Sequence, residues 1–358
     1  MGFVRPSRLS RALPLLCLVL IACGGSSPSS DTGSIVGGKV VANGEALRVV
    51  RYQGGFVNLP AVVAAQRGFF SAHGLNVQLI QLTTGAAAAA AVLGGSLDVA
   101  LSTSDTVLTA NEKGANFEII ASDMPKVFYT LEVAPGVNLP HASQGYPAVM
   151  QDLKGLNAAV LSRGDSSERW MRSMLTDSGN SGDSMTYVAL GTTAAIYAAM
   201  TSRRIQVMLA FEPLQTLCSV ENTCRPIVDL RQGQGPQELT AANGAFDTFF
   251  ASADYVNQHK TVIAAFTQAI DDAMHWMQTP ANSSALFPIA KAVIGSPAVQ
   301  NPDAAVQLLL NNNLSYFGVG VTRPAVIAIA NYLVATGSLK SASSAANAVY
   351  VNAPQPGG

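Results

Sequence analysis

One feature of this 358-residue chain narrows its possible folds more than any other: it contains an internal repeat. Residues 81–105 (QLTTGAAAAAAVLGGSLDVALSTSD) and 189–213 (ALGTTAAIYAAMTSRRIQVMLAFEP) align without a gap at an offset of 108. Leu82 falls on Leu190, Thr84 on Thr192, Leu97 on Ile205, Val99 on Val207 and Leu101 on Leu209. Each segment reads strand, small polar turn, Ala-rich helix, short turn, strand. The units before them match too: 47–70 and 157–179 each carry a strand, a loop with glycine and a helix, at an offset near 110. Pro60 stands early in its helix and Gly179 ends the other, as proline and glycine usually do. Two β-α-β-α-β lobes follow. Alternating strands and helices predict α/β lobes on mainly parallel sheets, and two such lobes leave a cleft between them.

Size agrees, since roughly 300 globular residues exceed what one core usually holds. Residues 117–123 and 127–135 read as strands leading out of the first lobe, and 246–256 as the return crossing. This predicts lobe 1 over 47–133 plus 248–351, lobe 2 over 134–247, and a disordered tail over 352–358. The helix expected over 259–278 sets Val262, Phe266, Ala269, Ala273 and Met277 on one face, a core stripe. Helices near 284–294, 302–312 and 323–336 should pack back on lobe 1.

The N-terminus reads as an export signal over 1–22. Arg5, Arg8 and Arg11 precede an apolar run of ten residues, 13–22. Spanning a membrane takes about 20, so the run is a signal core. It ends in Leu20-Ile21-Ala22-Cys23, which resembles the bacterial lipobox; the resemblance implies cleavage before Cys23 and diacylglycerol on its thiol. Residues 23–46, rich in Gly and Ser, are expected to form a flexible tether. The chain would then be held on the bacterial membrane by an acyl anchor, facing the periplasm or extracytoplasmic space.

Charge and cysteines exclude several partners. Taking the three signal arginines from 21 basic residues leaves 18 against 22 acidic ones. A net charge near −4 without a basic run argues against nucleic acid. Cys218 and Cys224 remain as an even pair six positions apart, which an oxidising compartment would join as a disulfide. No His/Cys cluster has metal-ligand spacing, and His73, His141, His259 and His275 read as structural or solvated. Neither metal nor cofactor is expected, no nucleophile–base pair is visible, and a monomer is expected.

The run 51–105 resembles the periplasmic nitrate/sulfonate/taurine-binding proteins and the thiamine-pyrimidine-precursor binders. The pieces that carry the likeness are RGFFSAHGLNVQL (67–79), LGGSLDVA (93–100), DLKGLNAAV (152–160) and FEP (211–213). The resemblance implies a hinged, two-lobe type II periplasmic-binding-protein fold. It also implies a small-molecule ligand that closes the lobes, and a permease–ATPase complex of an ABC importer as partner. An enzyme on the same fold and an orphan ligand sensor are the alternatives.

Ligands of open α/β sheets bind beyond the C-terminal strand ends, where helix N-termini favour negative charge. Five turns qualify. The first offers Gln53, Gly54, Phe56 and Asn58, the second Thr83, Thr84 and Gly85, the third Ser102, Thr103 and Ser104. The fourth offers Ser162, Arg163, Asp165 and Ser166, the fifth Phe211 and Glu212. Hydroxyls here also serve as ordinary N-caps. Arg163 suits an anionic sulfonate or carboxylate, or is a solvated loop residue. Asp105 is expected to cap its helix and Glu212 to bridge the lobes, unless the two meet N–H donors of an aminopyrimidine or a taurine-like amine. Arg169 is placed on the surface. A sulfonate-like solute is expected first and a pyrimidine second.

Overall fold

A computed structural model describes residues 33–240 and 242–356. The signal segment 1–22 and Cys23 lie outside the described residues. The chain opens with β1 (Ser34–Val36), β2 (Lys39–Val41) and β3 (Glu45–Tyr52), then α1 (Leu59–Gln66), α2 (Phe69–Ala72), β4 (Leu75–Leu82) and α3 (Gly85–Leu93). β5 (Ala100–Thr103), α4 (Ser104–Glu112) and β6 (Phe117–Met124) complete this part. Next come β7 (Thr130–Val133), β8 (Asn157–Val160), α5 (Ser166–Asp177), β9 (Thr186–Ala189), α6 (Thr193–Thr201), β10 (Val207–Ala210), α7 (Leu214–Glu221) and β11 (Arg225–Asp229). After α8 (Gln237–Thr240), the chain returns through β12 (Asp247–Ser252) to α9 (Ala253–Gln258), α10 (Lys260–Gln278), α11 (Ser283–Ile294), α12 (Pro302–Asn313) and α13 (Arg323–Ala335).

Two sheets of matching order organise these elements. In the first, β3 and β4 pair in parallel, and β12 lies antiparallel between β5 and β6. A parallel bridge, Val49 to Val99, joins the two pieces, giving the order β4-β3-β5-β12-β6. The second sheet runs β9-β8-β10-β7-β11. There β8 pairs in parallel with β9 and β10, and β7 is antiparallel to β10 and β11. Each sheet thus has one reversed strand, and that strand is the first after the chain has crossed from the other lobe. β7 therefore belongs to the second lobe. The boundary expected after residue 133 falls earlier, between Met124 and Thr130, because 127–135 supplies the second sheet rather than an exit from the first.

The repeat is exact in its helix starts. Thr84 caps α3 by accepting from Ala87 N at 3.1 Å, and Thr192 caps α6 by accepting from Ala195 N at 3.1 Å. The long helix α10 buries Val262, Phe266, Ala269, Ala273 and Met277, the stripe expected. Phe266 stacks on Phe70 with centroids 5.9 Å apart and meets Phe249 edge-on at 5.2 Å. α13 packs on α4 and α8, while α12 contacts both α11 and α7. α12 therefore reaches the second lobe too, beyond the packing on lobe 1 expected for it.

The described parts of two segments expected to be loose are packed. β1 and β2 form a hairpin within the expected tether: Val40 N donates to Gln268 Oε1 at 2.8 Å, and Lys39 pairs with Asp272 at 2.6 Å. Buried His73 bridges Val40 O and Asp272. The segment VVA (40–42) supplies the apolar contact that its Gly/Ser-rich surroundings concealed. In the tail, Pro354 O accepts from Val321 N at 2.7 Å and Ala353 is buried.

Phe266→Ala is expected to cost about 3–5 kcal/mol, because it empties a site between two aromatic neighbours. Denaturant unfolding checks this; a loss below about 1 kcal/mol would place Phe266 outside the core.

Candidate functional site

The two sheets face each other across a cavity of about 110 Å3. That is several times the roughly 10–15 Å3 one water-sized occupant needs, so the space suits a small organic molecule. The turn after β3 contributes Tyr52, Gln53, Gly55 and Val57. Asn58 shapes this turn from behind, accepting from Tyr52 N at 2.7 Å and donating to Gly55 O at 2.7 Å. The turn after β4 contributes Thr83, Thr84, Gly85 and Ala86; β5 and the start of α4 add Leu101, Ser102, Thr103 and Thr106. From the second lobe come Leu161, Asp165, Ser166, Ser167, then Gly191, Thr192 and Thr193, then Phe211 and Glu212. Phe128, Tyr129 and Asp247 line it from the two crossings.

Of the expected residues, Gln53, Thr83, Thr84, Gly85, Ser102, Thr103, Asp165, Ser166, Phe211 and Glu212 meet at this cavity. Gly54, Phe56, Asn58, Ser104, Ser162 and Arg163 do not line it. Phe56 is buried against Phe317 with centroids 5.0 Å apart, and buried Ser104 donates through Oγ to Ala245 O. Ser162 spends its backbone N–H on Asp165 Oδ2 at 2.9 Å. Arg163 turns back on its own helix, pairing with Glu168 at 2.9 and 3.0 Å, and stays 59% exposed. It is the solvated loop residue, not an anion clamp. Thr192 and Thr193 had a signal in the sequence: they stand 108 positions after Thr84 and Gly85, and the repeat carries one site turn onto the other. Phe128, Tyr129 and Asp247 had none, because they lie on crossings that the repeat does not contain.

Asp105 departs from the role expected of it, whereas Glu212 bridges the lobes as expected, through Asn313 on α12, and caps a helix as well. Glu212 caps α7, accepting from Thr216 N at 3.1 Å, Thr216 Oγ1 at 3.0 Å and Asn313 Nδ2 at 3.0 Å. Asp105, fully buried, joins the lobes: Arg169 Nε donates to it at 2.6 Å, Trp170 Nε1 at 3.2 Å and Ser166 Oγ at 3.3 Å. Thr103 Oγ1 donates to it from its own lobe and lies 2.6 Å from Ser166 Oγ across the cleft. Arg169, expected on the surface, is 15% exposed in this contact.

The cavity wall is acidic. Among the described residues no lysine or arginine lines it, whereas Asp165, Glu212 and Asp247 do. Burial raises the carboxyl pKa of Asp165 and Glu212 despite the donors each accepts. Burial, then the neighbouring Asp105 charge, pushes Asp247 up to about 8. Glu132, behind this wall, is raised to about 7, chiefly by burial. Its carboxylate lies with the sulfurs of Cys218 and Cys224 within 4.8 Å of one another. The two cysteines are joined as a disulfide, Cα–Cα 5.0 Å, so neither is a free thiolate that could hold a metal.

Two expectations follow. Arg169→Ala leaves Asp105 buried without its cation and should cost about 3–5 kcal/mol; adding Asp105→Asn should recover part of that loss. Equilibrium unfolding of the four proteins of the cycle measures the coupling, and additive losses would contradict a direct pair. Second, acids whose pKa rises on folding stabilise the protein below their unfolded values. That stability disappears as pH climbs through the folded values. Melting temperature should therefore fall between about pH 5 and pH 8, through the raised groups Glu132 and Asp247, and Glu132→Gln should flatten the fall. A rise over this range would contradict the buried-acid account.

Comparison with known proteins agrees with this geometry. The model of the NMT1/THI5-like family matches residues 56–283, a span holding both repeats and most of the cavity wall. The alkanesulfonate-binding protein SsuA from Xanthomonas axonopodis pv. citri, bound to MOPS, shares the fold at 18% identity and TM-score 0.65, covering 87% of this chain and 99% of its own. SsuA from Escherichia coli is similar at 16% identity and TM-score 0.65, with 86% and 98% covered. The nitrate-binding protein NrtA from Synechocystis PCC 6803 follows at 13% identity and TM-score 0.63, with 84% of each chain covered. No curated protein matches in sequence. The architecture is the two-lobe, α/β periplasmic-binding-protein fold, and the chain belongs to the NMT1/THI5-like family.

Proposed function

We propose that the protein is the extracytoplasmic solute-binding component of an ABC importer, capturing a small organic solute between its lobes and handing it to a permease–ATPase complex. One observation carries the reading most directly: α3 and α6, the same helix in the two copies of the repeat, open at Thr84–Gly85 and Thr192–Thr193 on one cavity. The first N–H groups of a helix lack intrahelical partners, and the threonine caps take up only those of Ala87 and Ala195. The remaining donors come from both lobes. A solute that meets them together stabilises the closed arrangement over an open one, which is the thermodynamic requirement for ligand-driven closure. The signal segment would direct export and be removed, and lipidated Cys23 would then hold the protein on the membrane, facing the periplasm or extracytoplasmic space, with one copy serving one solute.

The solute class proposed first is sulfonate-like. An acidic group suits two helix N-termini without any arginine, which matters because Arg163 is committed to Glu168. A pyrimidine-type solute is favoured by a different observation: Tyr52, Phe128, Tyr129 and Phe211 bring aromatic rings to the cavity wall, the kind of side chain on which a flat heterocycle packs. Both are binding, not chemistry. The same-fold enzyme reading would need a nucleophile or metal, and the sensor reading would need a signalling partner in place of a permease.

A thermal-shift screen of the purified protein against sulfonates, nitrate, bicarbonate, pyrimidines and aromatic carboxylates tests this. A ligand at 100 times its Kd should add about 2.7 kcal/mol of stability. Gly85→Ala should weaken that shift, because the added Cβ would stand 2.3 Å from Ser102 Oγ and displace a cavity hydroxyl. Turnover of any ligand, or shifts untouched by Gly85→Ala, would contradict the proposal.

A further inference from the structure

The acidic side of the cavity carries an inference about what the solute must bring. Asp247 opens β12 where the chain returns from the second lobe; it lines the cavity and is 4% exposed. On the neighbouring strand β6 the ladder shifts: Asp247 pairs with Met124 and Thr248 with Ser122. Asp123 is the extra residue of this irregularity, a device that re-aims a side chain near a site. Asp123 is fully buried, and both its carboxylate oxygens lack a hydrogen-bond partner. Each of the two acids is held well above its ordinary pKa, first by burial; for Asp123 the Asp247 charge adds to it.

The groups facing this pair do not compensate it. Asp105 on α4 adds a further negative charge. Tyr52 on β3 and Tyr129 on the crossing are neutral phenols, held so by burial and then by the charge of Asp247 on Tyr52 and of Asp105 and Asp247 on Tyr129. Arg169 on α5 is engaged with Asp105 at 2.6 Å. Two desolvated carboxylates without a counter-ion cannot both ionise, so the pair keeps a proton while the cavity is empty of cations.

Resting on the solute-binding reading of the cavity, we infer that the solute carries a positively charged nitrogen and places it at Asp247, with Asp123 as the second carboxylate behind it. The counter-charge then comes from the ligand. The pair releases its proton to solvent as the cation arrives, and the ammonium keeps its own. Together with the helix N-termini of α3 and α6 on the same cavity, the site has an anion-favouring side and a cation-favouring side, which fits a compact zwitterion better than a simple anion.

Matched probes that differ only in this nitrogen test the inference: 2-aminoethanesulfonate against 2-hydroxyethanesulfonate, and ethylammonium against ethanol. Calorimetric titration and thermal shift are read at pH 6 and pH 8, in buffers of different ionisation enthalpy. The amine member of a pair should bind at least about tenfold more tightly at pH 8, as a charged hydrogen bond supplies. The gap should narrow at pH 6, where the carboxyl pair holds its proton more firmly. Binding of the amine should release protons to buffer. Asp247→Asn, checked for fold by circular dichroism, should erase the gap and the proton release. Equal or tighter binding of the hydroxyl members overturns the charge assignment while leaving solute binding intact. The absence of any amine-dependent shift, or a gap that survives Asp247→Asn, also overturns it. Failure of the wider screen to find any solute would instead count against the binding reading itself.

Discussion

A buried carboxylate with donors from both lobes is the contact on which this arrangement turns. Asp105 begins α4 in the first lobe, and its partners Ser166, Arg169 and Trp170 begin α5 in the second. A carboxylate taken out of water is costly unless it is paired and hydrogen-bonded, so the lobes are apposed where these donors lie. Trp170 extends the contact into the core, stacked on Tyr332 at 5.9 Å and tilted against Phe246 at 5.6 Å. Thr103, Thr106 and Ser166, hydrogen-bonded across the same contact, also line the cavity. The chemistry that holds the lobes together and the wall of the cavity are therefore one structure.

The cavity's polarity follows from how the chain is threaded. The repeat supplies each lobe with a capped helix aimed inward, so helix N-termini and hydroxyls recur on both sides. The crossings break the symmetry, bringing Phe128, Tyr129 and Asp247 to the floor with no counterpart in the repeat.

Much of this was legible in the sequence, and the limits were physical. The offset of 108 gave the architecture because the strand–turn–helix order repeats residue by residue, down to the paired caps Thr84 and Thr192. Side-chain direction was less accessible. Arg163 and Arg169 stand six positions apart in one turn and helix, yet the one nearer the strand end turned to Glu168 and the one on the helix reached the other lobe. Arg163 meets a carboxylate five positions on in the helix that follows it, whereas the partner of Arg169 comes from the other lobe and leaves no local signal. The bridging role of Asp105 has the same origin as that of Arg169, since its donors come from the other lobe. The β1–β2 hairpin was hidden for another reason: three apolar residues in a Gly/Ser-rich stretch show no periodicity, and their contact with α10 is long-range. The reversed strands β7 and β12 likewise depend on which sheet the chain has just entered.

The central claim is that the two copies of the repeat close around one solute. Spin labels at exposed Ser96 and Ser202, which follow α3 and α6 at the outer ends of the two lobes, report on this through their pairwise distance. With a stabilising solute present, pulsed dipolar spectroscopy should give a single narrow distance distribution. Without it, the distribution should broaden or shift as the lobes move relative to each other. The same distribution with and without a solute that demonstrably binds at the cavity would contradict closure and leave a rigid binding cleft in its place.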